Sequence, residues 1–99
     1  MARAATGALY FMPSAQECVL TVSGLPRVEG QVYQIWLMRG NDGMSGGTFQ
    51  VERDGSGMLV VKSPMPITSV DAVRITNEPM GGSESPQGQA YMWGRVRGS

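Results

Sequence analysis

Apolar and polar residues alternate with period two along most of this chain. No window longer than about ten residues places apolar side chains at i, i+3, i+4 and i+7 without a glycine or proline breaking it. Seven segments therefore read as strands: 8–13, 17–23, 31–39, 47–52, 57–62, 71–77 and 89–96. The stretches between them, such as GNDGMSGG and EPMGGSESPQG, are built from residues that fix φ or accept a positive φ, and most of the 14 glycines and six prolines fall there. The clearest local signal is TFQVERDGSGMLVVK, in which Phe49 and Val51 alternate with Thr48, Gln50 and Glu52 ahead of Asp54-Gly55. It predicts a β-hairpin joining 47–52 to 57–62. Short strands with turn signals at regular spacing predict an all-β fold, an antiparallel β-sandwich of about seven strands, with a small closed β-barrel as the alternative. At 99 residues there is room for one core. A single domain is expected over 8–96, with 1–7 and 97–99 as frayed ends or ends added to the natural chain.

Composition narrows the chemistry. Apolar residues at 41% suffice for a modest core, and eight basic side chains balance eight acidic ones, with no basic cluster beyond GRVRG at the end. Nucleic acid is not an expected partner, since the broad positive field it needs is missing. The one cysteine, Cys18, rules out an intramolecular disulfide, and alternation points it inward with Leu20 and Val22. There is no histidine. That removes Ser-His-Asp and Cys-His catalysis and histidine-held metals; with no convincing acidic pair and no EF-hand spacing in NDGMSGG or DGSG, neither catalytic residues, a metal nor a cofactor is expected. The eight methionines are scattered without close pair spacing and read as core fillers and loop anchors. No apolar run reaches the roughly 18 residues of a membrane span, and the first fifteen residues have too short an apolar centre for a signal peptide. If the domain lies outside the cytoplasm, its targeting element is expected elsewhere in a longer protein.

The remaining candidates are carboxylates and aromatics. Asp42 and Asp54 precede glycine in turn sequences, where aspartate bonds its own backbone. Tyr33 and Trp36 are an odd number of residues apart and should point to opposite faces, whereas Tyr91 and Trp93 should share one and form an exposed partner patch. EPMGGSESPQG lacks the lysine and spacing of a phosphate loop, and no helix follows it. It reads instead as a loop latched on its own glutamate: Pro79 biases Glu78 towards extended backbone, Gly81 and Gly82 permit positive φ, and the carboxylate is expected to accept bonds from the N–H groups of residues 81–83, Ser83 included.

Taken in order, VYQIWLMRG (32–40), GGTFQVERDGSG (46–57) and VRITNEPMGGSESPQG (73–88) resemble the C-terminal domain of transmembrane anti-sigma factors of the anti-sigma-K type. Residues matching that family's pattern are Tyr33, Gln34, Trp36, Gly47, Phe49, Asp54, Gly55, Thr76, Glu78, Pro79, Gly81, Gly82, Ser83, Pro86 and Gly88. Tyr33, Trp36 and Phe49 would be its core positions. Gln87 stands where a threonine is usual, and QAYMWG replaces a plainer aliphatic strand. The resemblance implies a longer single-pass protein of the bacterial cell membrane, with a cytoplasmic zinc-binding domain that holds the sigma factor and this domain on the extracytoplasmic face. The domain would be a non-catalytic sensor, controlling regulated proteolysis and sigma-factor release in response to a signal or protein partner that the sequence does not identify. The alternative is a free-standing extracellular carbohydrate-binding or adhesion module. An edge strand such as 8–13 or 89–96 is also open to pairing between two copies as a homodimer.

Overall fold

The structure, a computed structural model, describes residues 5–11, 16–27, 29–63 and 65–95. It contains β1 (Thr6–Tyr10), β2 (Glu17–Ser23), β3 (Gln31–Arg39), β4 (Asp42–Phe49), β5 (Gly57–Lys62), a single 3-10 turn (Ile67–Ser69), β6 (Ala72–Pro79) and β7 (Ala90–Arg95). All pairings are antiparallel, in a three-stranded sheet ordered β1-β2-β5 and a four-stranded sheet ordered β4-β3-β6-β7. The arrangement is a sandwich and not a closed barrel. β1 starts at Thr6, ahead of its expected start, because Thr6 and Gly7 pair with Ser23 and Val22. Met12, Pro13 and Val96, at the ends of the first and last expected strands, lie outside the described residues.

Alternation explains the core. Cys18, Leu20 and Val22 of β2 and Val61 of β5 face Tyr33, Ile35 and Leu37 of β3 and Ile75 of β6, while Leu25, Val51, Ile67 and Val70 from the connections plug the ends. Burial pushes the Cys18 thiol pKa up. Tyr33 and Phe49, opposite one another on β3 and β4, stack with ring centroids 5.8 Å apart. The Tyr33 hydroxyl donates to the Pro26 carbonyl; its pKa is pushed up to about 12 by burial, with Tyr91 adding to it.

Two expectations need correction. The predicted hairpin between 47–52 and 57–62 does not form, since β4 belongs to the four-stranded sheet and β5 to the three-stranded one. The Asp54-Gly55 turn is present: Glu52 N–H donates to Ser56 O (2.7 Å), and Asp54 Oδ1 accepts the Ser56 N–H (2.9 Å) and hydroxyl (2.6 Å). But it carries the chain over the end of the sandwich. Phe49 and Val51 stay turned to the core throughout, and Gly55, at φ 86°, lies so close to Leu25 that a Cβ would sit 2.8 Å from the Leu25 carbonyl oxygen. Second, the glycine-rich stretch expected as a loop is strand: β4 begins at Asp42, directly after a tight turn at Gly40-Asn41. Gly46 is the extra residue of a β-bulge there. A Cβ on Gly46 would lie 2.7 Å from Val61 and one on Gly47 3.2 Å from Leu59, so the glycines let β4 close against β5.

Candidate functional site

On β3 and β6 several residues that point away from the core are also buried. Gln34 pairs with Thr76 and Val32 with Glu78 across the two strands, and Gln34, Trp36, Thr76 and Glu78 are all 3% exposed or less. The segment that follows β6 folds back over this outer face and bonds to it.

Glu78 is the centre of the contact. Its carboxylate accepts the hydroxyls of Thr76 and Ser83, the latter at 2.7 Å, and the backbone N–H groups of Gln87 (3.2 and 3.3 Å) and Gly88 (3.2 Å). Thr76 Oγ in turn accepts the Trp36 indole N–H at 2.8 Å, so one proton-ordered chain runs from Trp36 through Thr76 to the carboxylate. Burial alone would raise the Glu78 pKa; the bonds from Thr76, Ser83, Gly88 and Gln87 outweigh it and hold the group below the ordinary glutamate range. Gln34 makes a second clamp. Its Oε1 accepts the Ser83 N–H (2.9 Å) and its Nε2 donates to the Ser83 carbonyl (3.1 Å) and to Ser45 Oγ (2.7 Å). Gly82, at φ 80°, packs where a Cβ would lie 3.1 Å from Thr48, and at Gly88 a Cβ would lie 1.7 Å from the Asn77 carbonyl oxygen.

The donors to Glu78 differ from those expected. Gly82 N–H goes to Pro79 O (2.9 Å) and Ser83 N–H to Gln34, so the amides of residues 81–83 do not reach the carboxylate. The cause is position: Glu78 lies within β6 and not after it, so its side chain stands up from the sheet and meets the chain on its return at 87–88. Gly81 and Gly82 both adopt positive φ in the turn that follows Pro79. Gln87 contributes its backbone N–H, and its side chain bonds Ser85 instead. The departure from threonine at that position therefore leaves the carboxylate's bond intact. Sequence reasoning gave no role to Gln34 or Thr76; the available signal was an amide and a hydroxyl at outward positions on neighbouring strands, each set among motif residues.

Tyr91 and Trp93 do not share a face. The register of β7 slips between Ile75 and Thr76, so Tyr91 is an extra residue and turns inward with Met92. Its ring meets Tyr33 edge-on at 5.3 Å. Trp93, opposite Arg74, stays on the outer face and is 59% exposed. Among the described residues no group of three His, Cys, Asp or Glu side chains comes together. A carboxylate with no exposed surface, ringed by uncharged donors, is equipped to hold a loop in place.

Compared with known proteins, the chain matches over residues 1–90 the family model described as anti-sigma-K factor rskA, C-terminal. No curated protein and no solved structure matches it.

Proposed function

The chain belongs to the anti-sigma-K factor C-terminal domain family, and from that premise we propose that it is the extracytoplasmic sensor domain of a membrane-bound anti-sigma factor. Membership gives it a regulatory role in a membrane-associated family whose sigma-factor partner is engaged through other domains. The finer reading is that the domain is non-catalytic, stands outside the membrane, and controls proteolysis of the whole protein and hence release of the sigma factor. One observation carries it: motif residues from two separate stretches, Gln34 and Trp36 of the first and Thr76, Glu78, Ser83 and Gly88 of the last, meet in the closure of one loop over one carboxylate. A regulatory domain needs two states of different affinity for its signal, and loop-closed and loop-released are two such states. Release would offer residues 80–89 to a protease as extended chain.

The test uses the full-length protein in cells. Ser85→Cys places a thiol on the exposed loop while Cys18 stays buried. A membrane-impermeant maleimide is expected to label it in intact cells, and labelling only after lysis would overturn the placement. Gly88→Ala, which cannot close the loop, is expected to raise a sigma-dependent reporter and shorten the protein's lifetime; an unchanged reporter would overturn the control by the loop.

A further inference from the structure

The two sheets pack more closely on one side than on the other. β4 and β5 touch through Gly46 and Gly47, whereas β1 and β7, the opposite edges, meet where the Met92 methyl reaches Gly7, 2.9 Å from where a Cβ on that glycine would be, and leave a groove of about 250 Å³ beside that contact. Its walls are apolar, from Leu9, Leu20, Val73, Ile75 and Met92, with Trp93 and Arg95 at the rim. Gly94 contributes no side chain, and a Cβ there would meet no atom within 4 Å. β7 is also an edge strand, with a row of backbone N–H and C=O groups unpaired by any described strand. On its outer face Trp93 stands beside Arg74, its cross-strand partner, and two residues from Arg95. β3, β6 and β7 place one carboxylate on that face, Glu78, which is fully buried and committed to its own donors.

We propose that the β7 edge binds an extended segment of a partner protein as a fifth strand of this sheet, apolar at the alternate positions that enter the groove and acidic at the positions between. The period of two in a strand supplies the rule. A residue beside Met92 or Gly94 points into the apolar groove, and its neighbour beside Trp93 or Arg95 points to the face with the two guanidinium groups. Backbone pairing would give affinity and the alternating side chains specificity. A second copy fits less well, since two β7 edges joined about a two-fold axis would bring four guanidinium groups onto one face, and neither β6 nor β7 has a free carboxylate to set against them. The site is independent of the loop over Glu78, and residues 91–95 lie past the stretch matched by the family.

The test titrates the 99-residue chain with a blocked seven-residue peptide of alternating valine and glutamate, against a valine–lysine peptide and a valine–glutamate peptide with a central proline. Amide shifts and hydrogen exchange in β7 are the readouts. The valine–glutamate peptide is expected to bind, to protect the β7 amides, and to do so about ten-fold more tightly than either control, with the advantage over the lysine peptide shrinking as salt is raised. Gly94→Leu should fill the groove and weaken binding about ten-fold with the fold retained. Arg95→Glu, on an exposed position, should move the preference towards the lysine peptide. Equal binding of all three peptides, or none, overturns the proposal. So does protection of β7 that grows with protein concentration alone, which would identify a second copy as the occupant. Protection by phosphatidylglycerol vesicles but not by peptide would identify a lipid surface and overturn it equally.

Discussion

Glu78 is ionised, fully buried, and held by four uncharged donors. Because its folded pKa is depressed, its contribution to stability is complete above the unfolded value of about 4.3 and disappears as the pH falls through the lower folded value. Thermal melts of the wild type between pH 7 and 2.5 should show that loss. In Glu78→Gln that component should be missing, so the difference between the two curves isolates it. The glutamine is tolerated in part: its oxygen can replace Oε2 before Thr76, Gln87 and Gly88, and its amide can donate to the Ser83 hydroxyl. We expect a cost of about 1–2 kcal/mol at pH 7, against about 3–5 kcal/mol for Glu78→Ala, which strands two backbone N–H groups. Equal effects of the two at pH 7 would contradict the hydrogen-bond account. Thr76→Val keeps the shape but removes both the acceptor of Trp36 and a donor to Glu78. It should cost about 2–3 kcal/mol in chemical denaturation.

At the scale of elements, the loop after β6 depends on glycines for two different reasons. Gly81 needs positive φ but faces open space, so Gly81→Ala should cost about 1 kcal/mol. At Gly88 a Cβ would overlap the Asn77 carbonyl. Gly88→Ala should expel the loop and abolish exchange protection at the amides of Gln87 and Gly88, while leaving that of β3 in place. The strands themselves were legible because alternation is a local property: β2, β3 and β5 have the expected bounds. The partner of a strand is not local. Phe49 and Val51 turn inward whether the chain folds back beside β4 or crosses to the other sheet, so TFQVERDGSGMLVVK predicts a hairpin equally well where none forms. The same limit applies to Tyr91, whose inward turn depends on a bulge set by where Ala90 pairs. Glu78 was identified from its neighbours Pro79 and the glycines, but its donors at 87 and 88 come from the returning chain. Loop closure at that distance leaves no periodic trace.

For the whole molecule, the number of strands and the sandwich followed from sequence, but the division into three and four strands and the open side did not. They depend on which connections cross between sheets. The open side is bordered by the first and last strands, each held by one neighbour, while β2, β3 and β6 are held on both edges. A pull applied at residues 6 and 95 is therefore expected to peel a terminal strand away before the inner strands part, giving a short first extension of about 20 Å for a six-residue strand in single-molecule stretching. A single all-or-none rupture would contradict this. Tension delivered through either end would thus reach the groove between β1 and β7 first, so the domain's earliest response to mechanical load is the dismantling of that seam while its inner strands remain intact.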